Sequence, residues 1–367
     1  MFIQALNYHC ILENSKPDIR SLSKEQLSVA FKNMGEQPFR AKQVYEWLWK
    51  KSATSFNEMT NLSKSLREKL TNNYVINAVK VDSLQKSNDK TIKYGFRLHD
   101  NYLVEGVLIP TPKRVTACIS SQVGCSLTCK FCATGRLKRE RNLTADEIYD
   151  QVAVLKTQAE KEYGNTLSNI VYMGMGEPLL NYRNVLESIE KITSPEGLGI
   201  SPKRITVSTA GIAKLINKLG DDNVKFNLAL SLHAANDSKR SEIMPINDQN
   251  SLKVLSDSLQ YFYSKTGTRV TFEYIIFKDF NDTLDDAREL ANFCKNIPCK
   301  VNIIEYNPIE DGEFQQADKK DVDNFAGLLE SRNIVVNIRR SRGKDIDAAC
   351  GQLANKSKNK SNFHTNQ

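Results

Sequence analysis

The sequence predicts an α/β fold: a partial, open (β/α)6 barrel of TIM type, preceded by a small helical domain and a β-hairpin. Three observations carry this. From about residue 115, short β-branched or apolar runs alternate with longer amphipathic stretches, and six such units imply a parallel sheet with helical crossovers. Six units are fewer than the eight of a closed barrel, so the barrel is open, and its open side admits a large substrate. The first 110 residues follow other periods, helical and then strand-like.

Ser23-Lys-Glu-Gln26 fits a capping box, and Gly35 is a suitable C-terminal stop for the helix that it starts. Pro38–Lys51 carries Ala41, Val44 and Leu48 on one face, beside Trp47, and is rich in Arg40, Lys42, Lys50 and Lys51. Ser63–Leu70 has Leu66 and Leu70 in helical register. Thr91–Leu98 and Tyr102–Ile109 read as strands joined by a tight turn at Asp100-Asn101. The barrel strands are expected at Val115–Ser120, Asn169–Met173, Ile205–Ser208, Phe226–Ser231, Val270–Ile276 and Lys300–Glu305. Between them lie helical patterns such as Thr144–Ala159, with Asp146 and Glu147 in its first turn, and Leu252–Lys265. A last strand-like run, Ile334–Ile338, precedes Arg339. The expected division is therefore 1–110 as an accessory domain, 111–354 as the barrel with a C-terminal cysteine segment, and 355–367 as a disordered polar tail.

Composition narrows the class. The chain has 367 residues, which favours more than one domain. Its 40% hydrophobic and 26% charged content is that of a folded, soluble protein. No apolar run reaches the roughly 18 residues of a membrane helix. The N-terminus lacks a basic n-region and is interrupted by Gln4, Asn7 and His9, so a cytoplasmic location is expected. In that compartment eight cysteines mean metal binding or catalysis rather than a disulfide framework.

Parallel α/β folds place ligands at the carboxyl ends of strands. Cys125-Ser-Leu-Thr-Cys129-Lys-Phe-Cys132 follows the first strand, and Gly174-Met-Gly176-Glu177-Pro178 the second. The third ends in Ser208-Thr209, the fourth in Ser231-Leu232-His233 and the sixth in Asn307-Pro308. Three cysteines within one short loop form a soft-ligand cluster. A structural zinc site needs a fourth Cys or His, and no second CxxC or HxxxH accompanies them. A cubane iron–sulfur cluster held by only three thiolates leaves one iron open to substrate.

The CxxxCxxC loop after the first strand of a βα repeat resembles the radical SAM superfamily. That resemblance implies a [4Fe-4S] cluster on Cys125, Cys129 and Cys132, whose fourth iron binds S-adenosylmethionine. It also implies cofactor-binding roles for Gly176, Glu177, Ser208, Ser231, Leu232, His233 and Asn307. The remaining cysteines narrow the family. Cys118 lies on the first strand, and Cys350 lies in Asp345-Ile-Asp-Ala-Ala-Cys350-Gly-Gln-Leu353. With Ser-Leu-His-Ala-Ala-Asn236 and Met244-Pro-Ile-Asn247, these segments are similar to RlmN-type RNA methyltransferases over nearly the whole chain. Cys10, Cys294 and Cys299 lack such context and read as small apolar or inert residues.

The family resemblance implies methylation of C2 of an adenine in 23S rRNA, and of the adenine 3′ of the anticodon in tRNAs, with two S-adenosylmethionine molecules consumed per methylation. C2 is electron-poor and no nucleophile, so a carbon radical must add to it. By resemblance, Cys350 accepts a methyl group from one molecule. A deoxyadenosyl radical from the second removes hydrogen from that methyl. The methylene then adds to C2, and a transient Cys118–Cys350 disulfide releases the product. Glu105 matches the segment where a glutamate takes the C2 proton. Cys118 as a thiolate is the alternative, and the sequence leaves both open. An electron donor such as flavodoxin or ferredoxin, a monomeric state and no membrane association complete the expectation.

Arg136, Lys138, Arg139 and Arg141, and then Arg339, Arg340, Arg342 and Lys344, form two basic groups suited to a phosphate backbone or to an ordinary solvated surface. The rival readings are a Cfr-type C8-adenine methyltransferase using the same machinery, another radical SAM branch, and a noncatalytic RNA-binding protein with a structural metal.

Overall fold

A computed structural model of the chain describes residues 16–355. Cys10 and, beyond Asn355, the polar tail lie outside the described residues. The contacts divide the chain into two compact units, Met1–Ala78 with Lys191–Gly199, and Val79–Glu190 with Ile200–Gln367.

The first unit is helical. In α1, Lys24–Asn33, the Ser23 hydroxyl accepts from the Gln26 N–H while the Gln26 side chain accepts from the Ser23 N–H, so the capping box forms. Gly35, at φ 74°, turns the chain out of the helix. Pro38 opens α2, Pro38–Trp49, at a position where no N–H is needed. That helix buries Ala41, Val44 and Leu48 as the pattern predicts, together with Tyr45 and Trp49. In α3, Lys64–Asn73, Leu66 and Leu70 face inward, and the Ser63 hydroxyl caps the first turn.

The second unit is built on one ten-stranded sheet. It starts as an antiparallel meander of β1 (Lys80–Lys86), β2 (Ile92–Arg97), β3 (Leu103–Thr111) and β4 (Arg114–Cys118). Asn101, at φ 67°, makes the tight β2–β3 turn. The expected hairpin is therefore present, but the expected boundary at residue 110 moves. The compact units divide after Ala78, because β3 hydrogen-bonds along β4 and so belongs to the barrel sheet. Separating the hairpin there would expose a row of unpaired backbone groups.

A short ribbon of β5 (Gln122–Val123) and β6 (Arg141–Asn142) brackets the cysteine loop, and α4 (Ala145–Tyr163) follows. A Thr144–Glu147 capping box starts that helix. Then β7 (Asn169–Tyr172), β8 (Ile205–Thr209), β9 (Asn227–Ser231), β10 (Val270–Ile276), β11 (Cys299–Glu305) and β12 (Val336–Arg339) add in parallel, beginning beside β4. The six expected barrel strands are all present, and the last apolar run joins them as a seventh parallel strand. The connecting helices are α5 (Tyr182–Thr193), α6 (Ala213–Asp221), α7 (Asp237–Ile243), α8 (Leu252–Thr266), α9 (Leu284–Cys294) and α10 (Lys319–Ser331). β1 and β12 end the strand order without pairing to each other, so the sheet is open. All seven residues of β10 are buried, as expected for a parallel strand covered on both faces. No helix among the described residues is long and apolar enough to cross a membrane.

Candidate active site

Cys118 closes β4 between two ladders, paired with Val107 of β3 and Val171 of β7. Beyond it, Ser120 ties the first two strand ends together. Its hydroxyl donates to the Glu105 carbonyl at 2.6 Å and accepts from the Met175 N–H at 2.8 Å. The cysteine loop then folds on itself. The Leu127 N–H donates to Cys125 Sγ at 3.4 Å, Cys132 N–H to the Cys129 carbonyl, and Gly135 N–H to the Cys132 carbonyl. The C-terminal segment lies against this loop. Ala133 N–H donates to the Gly351 carbonyl at 2.7 Å and the Thr134 hydroxyl to the Leu353 carbonyl at 2.6 Å.

These contacts place five cysteines, Cys118, Cys125, Cys129, Cys132 and Cys350, on the wall of one cavity of about 250 Å³. Gly176, Glu177, Ser208, Ser231 and His233 line the same cavity. Of the sequence-predicted site residues, Glu105, Leu232 and Asn307 do not. Leu232 is core, its N–H bonded to the Glu273 carbonyl. Asn307 holds the Cys350 carbonyl through Nδ2 at 3.3 Å, and its Oδ1 is buried without a partner. Glu105 faces the C-terminal segment instead. Its carboxylate accepts from the Ala354 and Asn355 N–H groups at 2.8 and 3.1 Å and pairs with Lys93 at 3.5 Å.

Burial in the cavity wall acts on the thiols. Burial pushes Cys118 up to about 12, with Cys350 adding to the rise, and pushes Cys125 up to about 11. Cys129 and Cys132 are raised for the same reason. Cys350 is exposed at the mouth yet surrounded by protein, which raises it to about 11. Glu273 adds to that rise and Arg339 opposes it. All seven described cysteines are free. Such thiols ionise only when a positive centre joins them. Among the described residues no three Cys, His, Asp or Glu side chains are arranged around a single metal ion. Three spaced, soft thiols on a buried wall suit an iron–sulfur cluster, which takes one thiolate per iron.

The remaining wall is shaped for a polar guest. Gly176 has φ +96°, and a Cβ there would lie 2.5 Å from Gln122 Cβ, so only glycine fits this turn. Glu177 is buried, which raises its pKa, while its carboxylate accepts from the Leu179 and Ala210 N–H groups at 3.0 and 2.7 Å. His233, left-handed at φ 58°, accepts the Ile275 N–H at Nδ1, 3.0 Å away. Burial, helped by Arg240, lowers it to about 3, so the imidazole stays neutral and Nε2 carries the proton. The Ser208 and Ser231 hydroxyls stand 3.4 Å apart on adjacent strands.

Sequence reasoning missed Glu273 and Glu305, and read Arg339 only as part of a basic group. Glu273 and Arg339 line the cavity and pair at 3.3 Å, and Asn302 also donates to Glu273. The signal was present: Glu273 is the one carboxylate within the apolar run of β10. The basic groups also read differently. Arg340 and Lys344 pair with Glu305, and Arg342 donates to the Pro110 carbonyl. Arg136 bonds the Glu310 and Asp311 carbonyls, and Arg141 pairs with Asp100 and Glu147. Most of this charge fastens the chain to itself, whereas Lys138 and Arg139 stay exposed. In the first unit, Arg40 stacks on the exposed Phe39 and Lys51 on Trp47.

Known proteins similar to this chain identify its family. A model of the ribosomal RNA large subunit methyltransferase N-terminal domain matches residues 18–76, and one of the radical SAM superfamily matches 119–294. A Cytophaga hutchinsonii protein named probable dual-specificity RNA methyltransferase RlmN is 60% identical over 359 residues, covering 96% of this chain and 98% of its own. Its Bacillus velezensis namesake is 41% identical over 342 residues, covering 93% and 94%. The crystal structure of a radical SAM methyltransferase from Sphaerobacter thermophilus matches with a TM-score of 0.87 at 37% identity, covering 92% of this chain and 99% of that one.

Proposed function

Because the chain belongs to the RlmN family of radical SAM RNA methyltransferases, which use a [4Fe-4S] cluster and S-adenosylmethionine, we propose that it methylates C2 of adenine in 23S rRNA and in the adenine 3′ of the tRNA anticodon. The observation that carries this reading is the single cavity shared by Cys118, Cys350 and the three loop cysteines. Cys125, Cys129 and Cys132 hold the cluster; Gly176, Glu177, Ser208, Ser231 and His233 hold S-adenosylmethionine. Leu232 and Asn307 support that site from behind its wall. Bound there, the cofactors supply a methyl group and a carbon-centred radical.

The protein's own part follows from placement. Cys350, at the mouth, is reachable by both cofactor and RNA and acts as the methyl carrier. Its Sγ gains the methyl as its thiol proton leaves. After the carried carbon bonds to adenine C2, Cys118 attacks Cys350 Sγ. The S–C bond breaks with its electron pair moving to the departing carbon, which takes a proton to become the methyl group on C2, and a Cys118–Cys350 disulfide forms. Of the two candidate proton acceptors, Cys118 lines the cavity, where burial favours its protonated thiol, so it accepts the proton only once ionised. Glu105 takes the proton only after Ala354 and Asn355 release its carboxylate.

The target base must leave its stack to reach a cavity of this depth. The exposed Phe39, Lys42 and Lys51 of the first unit, with the half-buried Arg40 stacked on Phe39, suit unpaired bases and phosphates, which supports an RNA-positioning role. A cytoplasmic monomer reduced by a flavodoxin- or ferredoxin-type donor completes the proposal. Nucleoside analysis of RNA from a deletion strain tests it. Loss of 2-methyladenosine is expected, and loss of 8-methyladenosine would move the protein to Cfr-type chemistry.

A further inference from the structure

The segment that leads into the cysteine loop also builds the glycine turn, bond by bond. The Gly174 N–H donates to the Ile119 carbonyl at 2.9 Å, and the Met175 carbonyl accepts from the Ser121 and Gln122 N–H groups at 2.9 and 3.2 Å. With the bond from the Met175 N–H to the Ser120 hydroxyl, these contacts fix the turn as far as residue 175. Beyond it a side chain takes over. The Glu177 N–H donates to Gln122 Oε1 at 2.8 Å. Gln122 is fully buried, and its side chain lies along Gly176, which is why no Cβ fits there.

The other end of the same amide reaches across the ribbon. Gln122 and Asn142 are register partners in β5 and β6, the two strands that bracket the cysteine loop. Gln122 Nε2 donates to Asn142 Oδ1 at 2.8 Å, and Asn142 Nδ2 donates to the Leu180 carbonyl at 3.2 Å. An N–H only donates and a carbonyl only accepts, so the two ends of this chain fix which way both amides point. The exposed Arg139 adds a longer bond, 3.4 Å, to the same Asn142 oxygen. The chain Glu177–Gln122–Asn142–Leu180 thus grips the turn at both ends from the base of the cysteine loop.

We propose that Gln122 and Asn142 are positioning residues for S-adenosylmethionine, a clamp that sets the separation between the cysteine loop and the Gly176-Glu177 turn. The proposal rests on the reading of those two elements as the holders of the cluster and of S-adenosylmethionine. One molecule must meet both, so their separation has to be held by the protein, and a misplacement of about 1 Å in such a site can cost ~10²-fold. Neither amide lines the cavity, so the clamp acts through the turn and not by contact with the ligand.

The test is reconstituted Q122M holoprotein, in which a side chain of similar length keeps the packing over Gly176 and loses both bonds. S-adenosylmethionine binding is followed by calorimetry and by the change it makes in the EPR spectrum of the reduced cluster, with iron content measured in parallel. Leaving the buried Glu177 N–H without a partner should weaken binding about tenfold by both readouts, with iron content at the wild-type level. Wild-type affinity in Q122M overturns the proposal. Loss of iron in Q122M also overturns it, since Gln122 would then support the loop alone. If Q122M does not fold, the half-buried Asn142 decides: N142A should weaken binding about threefold or more, and wild-type affinity there overturns the clamp. G176A separates the two readings, because wild-type affinity in G176A would refute the assignment of the turn to S-adenosylmethionine whatever Gln122 does.

Discussion

Removing the charge of Glu305 should loosen the segment that carries Cys350. Glu305 ends β11, with a side chain 9% exposed, and its carboxylate accepts from Arg340, from Lys344 at 3.0 Å and from the Ser341 N–H at 3.4 Å. Breaking a fully buried pair costs roughly 3–5 kcal/mol. Here the partners are 57% and 47% exposed, so water screens both and each pair is worth about 0.2–1 kcal/mol. With the weakened Ser341 bond, E305Q should cost ~1–2 kcal/mol locally, a 5- to 30-fold rise in the released population.

Amide hydrogen exchange reads this directly. The Ala348 N–H, bonded to the Gly343 carbonyl at 2.9 Å, lies beyond the perturbed pairs and should exchange faster by that factor. The effect also carries a pH signature. Burial raises the Glu305 pKa, but its bonds to Arg340 and Lys344 outweigh this and hold it below the ordinary carboxylate value. A depressed folded pKa stabilises docking above the free value near 4.3, and this contribution is lost as pH falls through the depressed one. Wild type should therefore release the segment on acidification, and E305Q should respond less, since Asp89 and Asp345, also held below their ordinary values, bond the Gly343 N–H and the Ser87 and Asn88 groups. Ala348 exchange within a factor of two of wild type in E305Q would refute the reasoning.

Further expectations are shorter. C118A should accumulate a covalent protein–RNA adduct through Cys350, visible on denaturing gels, and normal turnover by this variant would show that Cys118 does not resolve the intermediate. E105Q should speed exchange at Ala354 and Asn355 while Cys350 still acquires its methyl group by mass spectrometry; unmethylated Cys350 would place Glu105 at the first methyl transfer instead. G176A should lower the melting temperature and weaken S-adenosylmethionine binding in calorimetry, since a Cβ there meets Gln122 at 2.5 Å in a strained backbone region costing about 1–3 kcal/mol. Wild-type affinity in G176A would mean that the turn does not shape the site.

Much of this was legible before any coordinates, for physical reasons. Strand runs such as Val270–Ile276 announce themselves because burial on both faces demands continuous apolar residues. The capping box at Ser23 is a local signal, read within four residues. Gly176, Glu177, Ser208, Ser231 and His233 share the cavity with the cysteines because strand ends in parallel sheets converge. What remained hidden was pairing at long range. Arg340 and Glu305 are distant in sequence, so the basic run before Cys350 looked like an RNA surface until its partners were seen. Glu105 shows the same limit: its strand was identified, but the Ala354 and Asn355 N–H groups that occupy its carboxylate lie at the far end of the chain. The compact units divide after Ala78 rather than near 110 because β3 turns straight into β4 at Thr111–Arg114 and so joins the barrel sheet.

The two thiols proposed to form the transient bond differ in what supports them. Cys118 is pinned on both sides by strand ladders, whereas Cys350 hangs on a segment held by Asn307, Ala133 and a few ion pairs. Closing a disulfide between them therefore costs almost all of its entropy on one side. Cys118 behaves as an anvil and Cys350 as the hammer. Oxidised enzyme should be the stiffer form, with the loose arm stapled against the sheet and its mouth position vacated. Under the proposed scheme, reduction would do two things at once: restore the Cys350 thiol and release the segment that carries it.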